Sequence, residues 1–136
     1  MVISLSNEYH VYANKGIVSF LYDRPECKPK GSGEHRCDVI LIEFSQRKLI
    51  WIIECKSEVG DREASTAIKQ IEGCSKMIHN AGDWQIKKLV IGEEFPSQRA
   101  VRSLGLKGIL HTELKSSRID KGLESIVNAV KKIEGC

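Results

Sequence analysis

Two short apolar runs near the middle of the chain dominate its hydrophobic pattern. Residues 37–44 and 49–56 are rich in β-branched and aromatic side chains, and a polar stretch, 45–48, separates them. Apolar runs of this length, divided by a short polar turn, are typical of two strands joined as a β-hairpin. We therefore predict a hairpin in this part of the chain.

The register of the hairpin decides where its charged residues lie. Because side chains alternate between the two faces of a strand, Asp38 shares a face with Ile40, and Glu54 and Lys56 share a face with Ile52. A loop with an odd number of residues pairs Ile40 with Ile52 and places Asp38 opposite Glu54. A slip of one residue would put the two acids on opposite faces. We predict the register that brings them together.

Opposed carboxylates need a positive partner. They repel one another, and burying either is costly unless a positive charge lies between them. Oxygen ligands favour a hard divalent ion, Mg²⁺ or Mn²⁺, which lowers the pKa of a bound water and stabilises charge on phosphate oxygens. A Glu-x-Lys triplet alone is common by chance. Asp38 at matching parity turns Glu54 and Lys56 into a candidate centre for metal-dependent phosphodiester hydrolysis.

The rest of the chain alternates between helical and extended patterns. Residues 6–14 fit a short helix with Ser6 as its N-cap, although a strand is an alternative. Further strands are predicted at 17–22, 86–91 and 108–111, and helices at 61–80, 96–104 and 117–133. This order predicts an α/β protein with a mixed central sheet and helices on its faces, in three layers.

Two of the predicted helices carry a continuous apolar face at helical spacing. In the helix at 61–80 this face consists of Ala64, Ala67, Ile68, Ile71, Cys74 and Ile78. In the final helix it consists of Ile119, Leu123, Ile126, Val127, Val130 and Ile133, after a Ser-x-x-Asp cap. We expect the face of the helix at 61–80 to pack on the sheet.

Length and composition indicate one domain spanning residues 1–136. The chain has 136 residues, 41% hydrophobic and 29% charged, enough for a genuine core. It has no apolar stretch long enough to span a membrane, and its first residues do not resemble a signal peptide. We therefore expect an intracellular, cytoplasmic protein with no membrane partner.

The cysteines do not indicate a metal cluster. There are five, an odd number, and none forms a Cys-x-x-Cys pair, so a zinc or iron-sulfur site is not expected. Small buried hydrophobic roles for Cys37, Cys55 and Cys74, or an incidental disulfide, are both compatible with the sequence.

A formal net charge of +3 is too small for binding nucleic acid by bulk electrostatics. The distribution of charge is more informative. A loop rich in proline and glycine, residues 23–36, carries Lys28, Lys30 and Arg36 just before Asp38. We expect these three cations to neutralise phosphates of a nucleic acid beside the acidic centre.

The order of elements, together with Asp38, the triplet Glu-Cys-Lys at 54–56 and Gln70, resembles the PD-(D/E)XK nuclease superfamily, which has the restriction-endonuclease-like fold. Within that superfamily, residues 16–57 look most like the archaeal Holliday-junction resolvases, including the Gly-Ser-Gly loop at 31–33. One departure is the cysteine at position 37, where a proline usually precedes the aspartate.

The resemblance implies a role for each matching residue. Asp38 and Glu54 would bind the metal together with the backbone carbonyl of Cys55. Lys56 would assist the nucleophile, and Gln70 would support the active site from its helix. Without the resemblance, Gln70 is an ordinary exposed helical residue.

Two further roles come from the same resemblance. Glu8 would match an additional acidic ligand of the family, and Ser32 would contact the scissile phosphate. Ser32 is otherwise an ordinary residue of a flexible loop.

The expected function is a Mg²⁺- or Mn²⁺-dependent endonuclease that hydrolyses DNA phosphodiester bonds, leaving a 5′-phosphate and a 3′-hydroxyl. By resemblance, branched DNA such as a Holliday junction is the favoured substrate. Because one active site cuts one strand, we expect a C2 homodimer. The alternatives are a non-catalytic nucleic-acid-binding module of the same fold, or a nuclease acting on RNA or on linear DNA ends.

Overall fold

A computed structural model describes residues 2–3, 9–14, 17–22, 38–43, 48–76 and 78–114. In chain order the elements are β1 (Val2–Ile3), β2 (Tyr9–Asn14), β3 (Ile17–Tyr22), β4 (Val39–Glu43), β5 (Leu49–Glu58), α1 (Asp61–Ser75), β6 (Ile78–His79), β7 (Gln85–Glu94), α2 (Gln98–Leu106) and β8 (Ile109–Glu113). The final helix predicted at 117–133 and the loop at 23–36 lie outside the described residues.

Six of these strands form one mixed sheet in the order β2-β3-β4-β5-β7-β8. Neighbours from β2 to β5 are antiparallel, whereas β5, β7 and β8 are parallel. The parallel pairs require crossover connections, which α1 and α2 supply. The predicted α/β class with a mixed sheet is confirmed.

The predicted hairpin between β4 and β5 is present in the predicted register. Ile40 pairs with Ile52, and the last ladder pair at this end is Val39 with Ile53. Continued by one residue, this register places Asp38 opposite Glu54. Alternation of apolar side chains was therefore sufficient to predict the pairing.

The short helix predicted at 6–14 is wrong for the part that the structure describes. Residues Tyr9–Asn14 form β2, which pairs with β3 along its whole length, from Tyr9 with Tyr22 to Asn14 with Ile17. Tyrosine and valine favour extended structure, and pairing with β3 satisfies more backbone groups than a helix of about two and a half turns would. The strand alternative is the correct one.

The two described helices differ from their predicted bounds. α1 ends at Ser75 instead of near Asn80, because Ile78 and His79 form β6 and pair with β1 in a separate two-stranded sheet. α2 begins at Gln98, two residues after Pro96, because Ser97 is its N-cap and accepts a hydrogen bond from Ala100 N–H at 3.1 Å.

Both faces of the sheet are buried at β4, β5 and β7. We call the face that contacts α1 and α2 the front face; its buried cluster is Ile40, Ile42, Ile50, Ile52, Val59, Ala64, Ala67, Ile71, Cys74, Val90, Ala100, Leu104 and Ile109. The opposite, back face has a separate buried cluster of Val39, Leu41, Leu49, Trp51, Ile53, Leu89 and Ile91. The predicted packing face of α1 is confirmed for its four buried residues.

Two cysteines lie in the described part of the chain, and they differ in whether they form a disulfide. Cys74, buried on α1, is disulfide-bonded, and Cys55 on β5 is free. Within the described residues, no helix is long and apolar enough to cross a membrane.

Candidate functional site

Asp38 and Glu54 meet at the end of the hairpin where β4 begins. The backbone N–H of Asp38 donates to Glu54 Oε1 at 3.1 Å, and the backbone N–H of Cys55 donates to Asp38 Oδ2 at 2.8 Å. Each carboxylate is thus oriented by a backbone N–H of the opposite strand. These bonds are possible only in the register that puts both acids on the front face.

Lys56 completes the cluster from the same strand face as Glu54. Its Nζ lies 3.2 Å from Glu54 Oε2, and its side chain is 14% exposed against 2% for Glu54. Two residues apart on a strand, the two side chains project to the same side. The structure therefore brings together three of the predicted site residues, Asp38, Glu54 and Lys56.

The surroundings of Glu54 disfavour its negative charge. Burial raises the pKa of this carboxyl well above its usual value, and the nearby charge of Asp38 raises it further, while Lys56 acts in the opposite direction. The contact with Lys56 therefore does not offset the effects of burial and of Asp38 on the pKa of Glu54. A divalent cation between Asp38 and Glu54 would stabilise the charged form of Glu54.

The side chain of Cys55 points to the back face, where it packs against the buried cluster. Burial raises the pKa of its thiol well above the usual value, and the charges of Asp38 and Glu54 raise it further. A thiol with a raised pKa is a poor nucleophile at neutral pH. The chemistry of this site therefore belongs to the carboxylates and Lys56, and the role predicted for the Cys55 carbonyl stays a prediction.

From the rise per residue of a helix and of a strand, we expect Gln70 on α1 to lie at about the height of Glu54. Since α1 links the parallel strands β5 and β7 while packing on the front face, it runs antiparallel to β5. Gln70 is about 13 Å along the helix from its start, and Glu54 is about 13 Å back from Glu58 along the strand.

The amide oxygen of Gln70 is buried and accepts no hydrogen bond from the residues that the structure describes. An unpaired buried acceptor costs about 1–3 kcal/mol, so this oxygen is suited to a hydrogen bond from a water or a bound ligand. Its supporting role stays a prediction.

The remaining predicted site residues lie outside the described part of the chain. These are Glu8, Ser32, Lys28, Lys30 and Arg36. Their predicted contacts with metal and phosphate are therefore still predictions.

Asp38 and Glu54 suit an open Mg²⁺ site, completed by water and substrate, better than a closed site made of protein ligands alone. Among the residues that the structure describes, no group of three or more His, Cys, Asp or Glu side chains could hold a metal ion. A closed protein cage is thus not formed by these residues. Asp38 and Glu54 instead match the way Mg²⁺ is usually held, by one or two carboxylates with waters and substrate phosphates.

Gly92 on β7 supports the site but was not recognised from the sequence. It pairs in register with Lys56, and a Cβ added there would lie 2.8 Å from Val59 Cγ2 and 3.1 Å from the Phe95 ring. Val59 is fully buried over this position. A glycine inside a strand pattern often marks such a close approach, so the sequence does contain a signal for this position.

Comparison with known proteins finds no matching family model, no similar curated protein and no similar solved structure. Assignment to a family therefore depends on the geometry of Asp38, Glu54 and Lys56 and on the order of elements.

Proposed function

We propose that this chain is a metal-dependent endonuclease with the restriction-endonuclease-like fold of the PD-(D/E)XK superfamily. DNA phosphodiester bonds are its substrate, and branched DNA is the favoured form. The observation that carries the proposal is that a buried Glu54 contacts both Asp38 and Lys56 at the end of the hairpin. Buried like charges of this kind are characteristic of functional sites.

The protein residues have separable roles in this proposal. Asp38 and Glu54 would hold Mg²⁺ or Mn²⁺, which when bound supplies an acidified water and positive charge beside the phosphate. Lys56 orients Glu54 through the 3.2 Å contact between Nζ and Oε2 and can donate a hydrogen bond to a phosphate oxygen of the substrate. Gln70, with its unpaired amide oxygen, would accept a hydrogen bond from a water in the site.

Cleavage assays with a panel of substrates test the function. Four-way-junction, flap, duplex and single-stranded DNA and single-stranded RNA are incubated with Mg²⁺, with Mn²⁺ and with a chelator. Lys56→Ala should lower the cleavage rate by about 100-fold or more while DNA binding persists. Lys69→Ala, at an exposed position of α1, is the matched control and should cleave normally.

Each outcome of the substrate panel supports one of the candidate functions. Metal-dependent cleavage that is fastest on the junction supports the proposal as stated, and cleavage of RNA or linear ends alone transfers the same chemistry to another substrate. If every substrate binds but survives with both metals, a non-catalytic nucleic-acid-binding module is the correct reading. Light scattering of the active protein tests the proposed C2 homodimer, for which a mass of one chain is the contrary result.

A further inference from the structure

The back face of the sheet is buried without help from either described helix. Its cluster comprises strand residues only, and Trp51 and Leu41 at its centre are 0% and 1% exposed. α1 and α2 contribute their apolar side chains to the front cluster alone. A sheet face of this kind requires a cover, because so many strand side chains would otherwise contact water.

The chain leaves the described part of the structure on this same face. Leu114 follows β8, packs against the back cluster and donates its backbone N–H to Gly92 O at 2.8 Å. Leu110, in register with Leu89 of the cluster, is 43% exposed at the margin of the face. The described part of the chain therefore ends at the back face, three residues before the predicted final helix.

We propose that residues 117–133 form an amphipathic helix that docks on the back face of the same chain. These residues lie outside the described part of the structure, so the proposal depends on how their sequence fits the face. At 100° per residue their six apolar positions fall within an arc of about 120°, which is the width of a core-facing stripe. The polar positions Ser125 and Asn128 fall on the opposite side.

The size of the segment also matches the face. A helix of seventeen residues is about 25 Å long and about 10–12 Å across, and the axes of β4, β5 and β7 span roughly 10 Å. One helix of this length therefore covers the strands that carry the buried back cluster. The docked helix also contacts the region behind Cys55, whose neighbours Glu54 and Lys56 carry the proposed chemistry on the front face.

Fluorescence of Trp51 tests the docking without any substrate. In a Trp84→Phe background, Trp51 is the only tryptophan of the chain. Ile126→Glu with Val127→Glu puts two charges on the apolar arc, and we expect a red-shifted emission and several-fold stronger quenching by acrylamide. Ser125→Glu with Asn128→Glu adds the same charges to the polar side and should leave the emission wavelength and the quenching unchanged. Equal behaviour of the two double variants would overturn the proposal.

A second measurement keeps the test decisive if the apolar variant fails to fold. In the wild-type chain, nuclear Overhauser contacts between the methyl groups of Ile126 or Val127 and the Trp51 indole are expected. A sample mixed from labelled and unlabelled chains separates contacts within a chain from contacts between chains. Contacts seen only between chains would mean that a second copy covers the face, and no contacts at all would exclude the docked helix; either result refutes the proposal.

Discussion

The backbone N–H of Cys55 donates to Asp38 Oδ2 at 2.8 Å, so a carboxylate takes the place of a carbonyl where the β4–β5 ladder ends. Backbone N–H groups inside a sheet are normally satisfied by the neighbouring strand. Here the ladder stops one pair early, and the freed N–H fixes the carboxylate of Asp38. The site is thus built from the last positions of a regular hairpin.

Asp38→Asn should separate metal binding from folding. The asparagine oxygen can still accept the hydrogen bond from Cys55 N–H, so we expect the folded structure to persist, while loss of the charge lowers Mn²⁺ affinity by about tenfold or more. Isothermal titration calorimetry measures this affinity directly. Asp83→Asn, at an exposed acid paired with Lys48, is the control and should bind Mn²⁺ like the wild type. Unchanged Mn²⁺ affinity in Asp38→Asn would remove Asp38 from the ligand set.

Glu54 predicts a pH dependence of stability in the metal-free protein. Burial and the charge of Asp38 raise the pKa of this carboxyl in the folded state above its unfolded value. The folded state therefore holds a proton that the unfolded state releases, and the free energy of unfolding falls as pH rises from about 4.5 through the folded pKa. Glu54→Gln lacks this loss and should become the more stable protein at pH 8.

Urea unfolding with a chelator at pH 4.5, 6 and 8 measures this difference. The gain of Glu54→Gln over the wild type should be smallest at pH 4.5 and grow with pH. Glu58→Gln, at an exposed position of the same strand, controls for general loss of negative charge. If the free energy of unfolding varies with pH in the same way in the wild type and in Glu54→Gln, ionisation of Glu54 does not destabilise the folded state.

The β4–β5 hairpin and its register were predictable because each depends on short-range alternation of apolar residues. The same reasoning placed Asp38 opposite Glu54 and put the apolar residues of α1 against the sheet. It failed at 9–14 and at Ile78–His79, where pairing with a strand distant in sequence decides the structure. Local propensity contains no information about such partners.

The support of the site was less predictable than its charges. That Val59 folds over Gly92, or that Asp38 N–H binds Glu54 Oε1, depends on how β5 ends against β7 and β4. These contacts arise from three-dimensional packing of side chains that no sequence spacing specifies.

Gly92→Ala should destabilise the fold beside Lys56. The new Cβ would lie 2.8 Å from Val59 Cγ2 and 3.1 Å from the Phe95 ring, and the buried Val59 has little room to move. Overpacking of this kind costs about 1–3 kcal/mol. Gly105→Ala in α2, where a Cβ meets nothing within 4 Å, should instead stabilise by about 0.5–1 kcal/mol. Chemical denaturation measures whether each variant lowers or raises the free energy of unfolding. Restored stability in Gly92→Ala with Val59→Ala would confirm the clash as the cause.

Ser97 links the starts of the two described helices. Its Oγ donates to Asp61 Oδ1 at 2.5 Å and accepts from Ala100 N–H at 3.1 Å, so one hydroxyl caps α2 and contacts the first residue of α1. Ser97→Ala removes both bonds and should cost about 1 kcal/mol, most of it from the lost cap. Asp61→Ala removes the acceptor of the second bond at a half-exposed position and should cost less.

A double-mutant cycle with Ser97→Ala and Asp61→Ala apportions these contributions. If the hydroxyl couples the helices, the two single losses should exceed the loss of the double variant by about 0.5 kcal/mol. Ser97→Asn, which keeps a capping side chain, should retain most of the stability of α2. Strict additivity in the cycle would mean that the contact with Asp61 contributes nothing. A full loss of stability in Ser97→Asn would mean that the cap does not depend on an acceptor at this position.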